Sequence, residues 1–168
     1  MESSQQLERA IKYLESIGIF LPEGYISLCR YGDSPGLERE LIDLIKGGSK
    51  RGTASLKWEY ELEQEQIPVP GDLEIVLNSD DMPELVTRIL SAAVVPFCEV
   101  SAAHAAIEGE GDRSLKHWTE SHWLYFSRAC KRLGYTASQD MPIVCTEFEV
   151  LHVIPRNPTQ GQEMHRLL

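Results

Sequence analysis

Sixteen basic against 26 acidic residues give this 168-residue chain a formal charge of −10, which argues against holding nucleic acid on a broad phosphate-neutralising surface. The length suits one domain with some elaboration and a sizeable core. No apolar run approaches a membrane span, the N-terminus is polar, and Cys29, Cys98, Cys130 and Cys145 lie far apart without a C-x-x-C pair. A reduced, cytoplasmic protein with no zinc site and no cofactor is expected.

Leu7, Ala10, Ile11, Leu14 and Ile17 recur at helical spacing after Ser3-Ser4, and Gly18 ends them, which predicts an N-terminal helix. A loop through Leu21-Pro22-Glu23-Gly24 leads to an apolar stretch from Tyr25 to Leu28. Ser34 as N-cap and Pro35 at the first helical position predict a second helix, with Leu37, Leu41, Leu44 and Ile45 on its buried stripe. Gly47-Gly48 stops that helix and opens a turn that reads Gly-Gly-Ser-Lys-Arg-Gly-Thr-Ala-Ser to Ser55. By itself such a turn reads as a solvated basic loop. Lys50 and Thr53 would face opposite sides of a regular strand, whereas a bulge at Arg51-Gly52 would turn both inward.

Thr53 to Tyr60 reads as a strand, and the acidic run Glu59 to Gln66 as a solvated loop. Leu73, Ile75 and Leu77 mark one face of a strand over Asp72 to Leu77. After a turn at Asn78 to Pro83, Glu84 to Val95 returns as one or two antiparallel strands, broken by Pro96-Phe97. Ser101 to Asp112 ends in Glu108-Gly109-Glu110-Gly111-Asp112. Asp112 is expected to cap a third helix, with Leu115, Trp118, His122, Phe126, Ala129 and Leu133 as its stripe and Gly134 as its end. Ile143 to Ile154 is the last strand, and Pro155 to Leu168 a loose tail. The order points to an α+β fold whose mixed or antiparallel sheet can curl into a small barrel.

Several stretches then become recognisable together: Gly32-Asp33-Ser34-Pro35, Gly48-Ser49-Lys50-Arg51-Gly52-Thr53-Ala54-Ser55, Trp58-Glu59-Tyr60, Pro96-Phe97 with Glu99-Val100, and Glu108-Gly109-Glu110-Gly111-Asp112. In this order they resemble the ASCH domain family. Ser114-Leu115 with Trp118, His122 and Phe126, and Val144-Cys145 before Glu147-Phe148-Glu149-Val150, extend the likeness over roughly Tyr25 to Val153. The chain departs from the usual pattern at Ser49, Arg51 and Gly52. The resemblance implies a PUA-like fold, a small β-barrel with flanking helices, over 25–154. A helical extension at 1–24 and a flexible tail at 155–168 would then lie outside it. It also implies a nucleic-acid or nucleoside substrate, because members include amidohydrolases that remove the acetyl group from N4-acetylcytidine, and ribonucleases. In the amidohydrolase branch the working residues are the Lys and Thr of G-x-K-x-x-T and a Glu before the long helix. Those positions are Lys50, Thr53 and Glu108 here.

Amide hydrolysis needs a nucleophile, a base and an acid for the leaving nitrogen. A Thr53 hydroxyl beside a neutral Lys50 amine would resemble a Ser-Lys pair, with Arg51 as the cation that favours the neutral form and Glu108 as the acid. A charged Lys50 would instead bind phosphate or stabilise an oxyanion, as a ribonuclease would use it, and the residues leave both uses open. Around them, Arg51 and Arg113 are candidate phosphate contacts and Ser55 a further binding residue. Trp58, Tyr60 and Trp118 are candidate base-stacking rings. His122 reads as a packed, hydrogen-bonded residue of the helix stripe, with Ser127 beside it as a candidate for the cleft. Glu110 and Asp112 read as capping and solvated. Two classes of function follow: a hydrolase acting on a modified nucleoside or RNA, or a non-catalytic RNA- or nucleotide-binding module. A nucleoside or short single-stranded RNA is the expected ligand, since a local basic turn within an acidic surface neutralises few phosphates.

Overall fold

The computed structural model describes residues 2–155; the tail expected from Pro155 onward lies, beyond its first residue, outside them. Its elements are α1 (Glu2–Ser16), β1 (Ile26–Cys29), α2 (Pro35–Lys46), β2 (Gly52–Leu56), α3 (Lys57–Glu63), β3 (Leu73–Leu77), β4 (Pro83–Pro96), α4 (Ala102–Glu108), α5 (Leu115–Leu133) and β5 (Pro142–Val153). The strands form a mixed five-stranded sheet in the order β1-β3-β4-β5-β2. β1 is parallel to β3, while β3 with β4 and β2 with β5 are antiparallel. A mixed sheet with five helices is the expected α+β class. None of the described helices is long and apolar enough to cross a membrane.

Two compact units divide the chain. Among the described residues the first comprises 2–43, 71–88 and 150–155. Within it the periodic face of α1 places Ala10, Tyr13 and Leu14 against Ile75 and Leu77 of β3, Val86 of β4 and Ile154, the burial that stabilises an amphipathic helix. α1 starts at Glu2, so Ser3-Ser4 lie inside its first turn rather than capping it. Ser34 caps α2, its hydroxyl accepting from Leu37 N at 3.3 Å and its carbonyl from Glu38 N at 2.9 Å. Asn78 holds the turn before β4, its side-chain oxygen accepting from Asp80 N at 2.9 Å and Met82 N at 3.0 Å.

β3 departs from its sequence reading, because all five residues are buried rather than one face. Glu74 is thereby buried at 9% exposure. Burial raises its carboxyl to about 7; a hydrogen bond donated by Thr87 Oγ1 at 3.4 Å opposes the shift and the charge of Asp72 adds to it.

The second unit comprises Leu44–Pro70 and Ile89–Glu149. Leu56, Phe97, Val100, Trp118, Phe126, Ala129, Cys130, Met141 and Ile143 form its core. Three sequence expectations change here. The strand expected from Thr53 to Tyr60 stops at Leu56, and α3 replaces both its second half and most of the expected acidic loop. Lys57 and Glu61 make an i,i+4 ion pair at 3.0 Å, and this run of good helix formers prefers a helix to a solvated loop. α4 occupies Ala102 to Glu108, where no helix is expected: its N-cap Ser101 accepts from His104 N at 3.1 Å and Gly109 closes the helix at φ +70°. Finally, Ser114 rather than Asp112 caps α5, accepting from His117 N at 3.0 Å, while Asp112 accepts from Ser114 N at 2.8 Å. Glu84 to Val95 forms one strand, β4, not two.

Glu74 yields a test of the first unit. Its folded carboxyl titrates above an ordinary glutamate, so the folded state binds more protons between the two values. Stability from this group therefore falls as pH rises from about 4.5 to about 7 and stays low above that. Glu74→Gln removes this term. Its stability relative to the parent should rise by about 3 kcal/mol between pH 4 and pH 8, as read from urea unfolding at both values; a pH-independent difference would contradict the assignment.

Candidate functional site

The site begins where α2 ends. Gly48 adopts φ +78°, and Ser49 N and Lys50 N both return to Leu44 O, at 2.9 and 3.1 Å. This closing turn drives the Lys50 side chain inward until only 1% of the residue is exposed. The end of α4 meets it: Arg51 N donates to Ile107 O at 2.7 Å. A Cβ on Gly109 would stand 2.1 Å from Ser49 O. Only glycine lets the two backbones approach this closely at a left-handed conformation.

Next to that approach lies Glu108, buried at 1%. Each of its oxygens faces two nitrogens. Oε1 accepts from Trp118 Nε1 at 2.7 Å and His104 Nε2 at 2.9 Å. Oε2 faces Lys50 Nζ at 3.3 Å and His122 Nε2 at 3.4 Å. Four sites are what a carboxylate offers, and here all are taken. Lys50 also pairs with Glu110 Oε1 at 2.7 Å, and Glu110 is 24% exposed.

Helical spacing supplies the rest. His104 and Glu108 stand four apart on α4. Trp118 and His122 stand four apart on α5 and stack at 4.2 Å and 14°. Phe97 and Phe126 pack against these rings. Burial by itself would raise Glu108; hydrogen bonds from His104 and His122 and the Lys50 charge outweigh it and hold the carboxyl well below the usual range. Cys145, on β5, is pushed up to about 12 by burial and by the Glu108 charge, so its thiol stays protonated. Glu108, Glu110 and His122 bring three donor atoms within 4.8 Å of one another. A divalent cation there would have to displace Lys50 from both carboxylates, so the group reads as an ion-pair network.

The remaining sequence candidates lie around this centre. Thr53 sits half-buried in β2 opposite Thr146, whose hydroxyl donates to the Thr53 carbonyl at 3.5 Å. Ser55 is half-buried opposite Val144 in the same pair of strands, and Arg51 is exposed. None of these three, nor half-buried Ser127 on α5, is among the groups bonded to Glu108. Trp58 and Tyr60 fall on α3, where Trp58 stacks on Tyr135 at 4.2 Å and 5°. Arg113 is exposed, with Nη2 3.4 Å from Ser49 Oγ.

A family model described as the ASCH domain matches residues 27–152. The chain belongs to the ASCH domain family. Its fold is similar to that of the ASCH domain from Lactobacillus crispatus JV V101, at 33% identity and a TM-score of 0.72, over 89% of this chain and 94% of that one. A protein from Enterococcus faecalis V583 matches at 26% identity and a TM-score of 0.72, over 89% and 90%. The search of curated proteins gave no match. The ASCH family is PUA-like, and its domain here carries the whole ion-pair network in its second unit.

His104 and Glu110 were not read from the sequence as site residues. The missing signal was α4: once Ser101 is recognised as a cap, His104 and Glu108 fall on one helical face. Glu110 reads as solvated in the sequence, yet it accepts from Lys50.

The network predicts a cost for breaking it. Glu108→Gln leaves Lys50 without its fully buried partner and should destabilise the ASCH domain by about 3–5 kcal/mol at neutral pH. Because the Glu108 carboxyl is depressed on folding, its contribution is present above the unfolded value and lost as pH falls through the folded one. The difference between parent and variant should therefore shrink on acidification, as followed by urea unfolding; a gap that widens toward low pH would contradict it.

Proposed function

We propose that this ASCH domain hydrolyses the amide of an N-acylated cytosine nucleoside of the N4-acetylcytidine kind, with Lys50, Thr53 and Glu108 as its working residues. One observation carries the reading: a Lys–Glu pair, each residue 1% exposed, inside a hydrogen-bond-saturated cluster. Burying two charges is weak support for stability, and such groups concentrate where chemistry needs them.

Between two carboxylates, Lys50 suits the charged of its two possible uses, stabilising the oxyanion that develops on the acyl carbonyl, where low dielectric strengthens the interaction. The Thr53 hydroxyl oxygen forms the new C–O bond as its O–H bond breaks, the proton leaving to solvent water. Collapse breaks the C–N bond, and the departing cytosine nitrogen takes a proton from Glu108. Water then frees acetate from Thr53 and restores the hydroxyl.

A small neutral substrate fits this centre better than a polyanion. Glu110 lies beside the pair at partial exposure and the chain carries −10, both of which repel phosphate. The alternative of an RNA- or nucleotide-binding module draws on two exposed cations, Arg51 directly after Lys50 and Arg113, whose guanidinium reaches Ser49 Oγ. Incubation with N4-acetylcytidine, and separately with labelled single-stranded RNA, separates the readings. Cytidine and acetate should form, and Lys50→Met should lower the rate on the order of 10²–10³-fold. RNA bound without turnover of either substrate would favour the binding module.

A further inference from the structure

We propose that His122 and Glu108 hold one proton between His122 Nε2 and Glu108 Oε2, and that this proton is the one delivered to the leaving nitrogen; the delivery rests on the hydrolase reading, the shared proton does not. His122 Nδ1 lies 3.0 Å from the Trp118 carbonyl oxygen. A carbonyl oxygen only accepts, so Nδ1 carries a hydrogen. The other ring nitrogen faces Glu108 Oε2 at 3.4 Å. With Nδ1 protonated, a single-proton imidazole would present a lone pair to a carboxylate oxygen, two acceptors in contact in a buried site. One proton between them removes the conflict.

The neighbours fit this count. Ser121 Oγ, 3.4 Å from Nδ1, can give its hydrogen to His117 O at 2.9 Å and leave Nδ1 to donate. His104 reaches Glu108 through Nε2 alone, which an ordinary neutral tautomer satisfies. The charged groups that face the pair are Lys50 from the turn and Glu110 after α4, and Cys145 on β5 adds a protonated thiol. With the shared proton on the imidazole, two cations balance two anions in the network, and no net charge is buried.

The same count explains how Glu108 can serve as an acid. All four of its acceptor sites are occupied and its carboxyl is ionised, so it has no proton of its own to give. Transfer from His122 Nε2 through Oε2 supplies one as the C–N bond breaks. His122 is left with its Nδ1 hydrogen on Trp118 O. The water that cleaves the acyl–Thr53 ester returns one hydrogen to Thr53 Oγ and its second to His122, and the acyl group leaves as acetate, so protons balance over the cycle and no oxidant or reductant enters. His122 thus acts through Glu108, as a positioning residue that stores a proton.

Nitrogen-15 spectra of the histidine-labelled full chain, with carbon-13 detection of the Glu108 carboxyl, test the shared proton without any variant or substrate. Expected is a proton-bearing Nδ1 together with a proton on Nε2 or on the carboxyl. A lone-pair Nε2 signal beside an ionised carboxyl would overturn the shared proton and its delivery through Glu108 together, and turnover of N4-acetylcytidine would then decide the hydrolase reading by itself. For the delivery step, His122→Gln should lower kcat on the order of 10²-fold with KM little changed, and should flatten the pH profile of kcat. A folded His122→Gln with parental kcat and profile would overturn the delivery. Absence of any turnover by the parent protein would instead remove the hydrolase reading and leave the spectra as the judge of the shared proton.

Discussion

Burying Lys50 against Glu108 is the constraint from which the local architecture of the second unit follows. Two charges leave water only if their remaining hydrogen-bonding capacity is met. The ammonium needs a turn that throws a long side chain inward, which Gly48 and the paired bonds to Leu44 O provide. The carboxylate needs four donors within a few ångströms, and no single helix can present four. α4 supplies His104 and the carboxylate itself, α5 supplies Trp118 and His122, and the end of α2 supplies Lys50. Gly109 is the steric condition for bringing the first and last of these together, since any Cβ there would collide with Ser49.

Hydrophobic packing then fixes the donors in place. Trp118 has its ring on His122 and its indole N–H on Glu108, so one side chain ties the aromatic core to the polar network. Phe97 packs against Trp118, Trp123 and Phe126. Helices thus position His104, Glu108, Trp118 and His122, while the turn after α2 brings Lys50 and the segment after α4 brings Glu110, and donors fixed in advance are what electrostatic stabilisation requires.

Much of this was legible in the sequence where a single residue decides a local geometry. Ser34-Pro35 announced α2, Gly47-Gly48 its end, and Gly134 the end of α5. Lys50 and Glu108 were named from a family resemblance; the path between them was not visible, because seven residues of α4 carry too little periodicity to announce a helix. β3 misled in another way. Its alternating Leu73, Ile75 and Leu77 promise one wet face, but burial of a strand on both faces is set by what covers it, which no local pattern encodes. α3 was missed because its aromatic residues favour strands, while its charges favour a helix through pairs four apart. Glu110 shows the limit most directly: an acidic residue between two glycines looks solvated until the lysine 60 positions earlier is placed beside it.

Glu74 and Glu108 state the physical lesson in one residue type. Both are buried glutamates, and burial pushes both upward. Glu74 has one hydroxyl at 3.4 Å and a neighbouring acid, so burial wins and the carboxyl rises to about 7. Glu108 has an indole, two imidazoles and an ammonium, so its partners win and it stays ionised. A carboxyl that resolves its burial by taking up a proton has little further use for its surroundings. One that stays charged must be answered by donors, and each donor is a group through which a proton or a substrate oxygen can be engaged. The density of donors around Glu108, rather than its burial, is what distinguishes a candidate reaction centre from a buried acid.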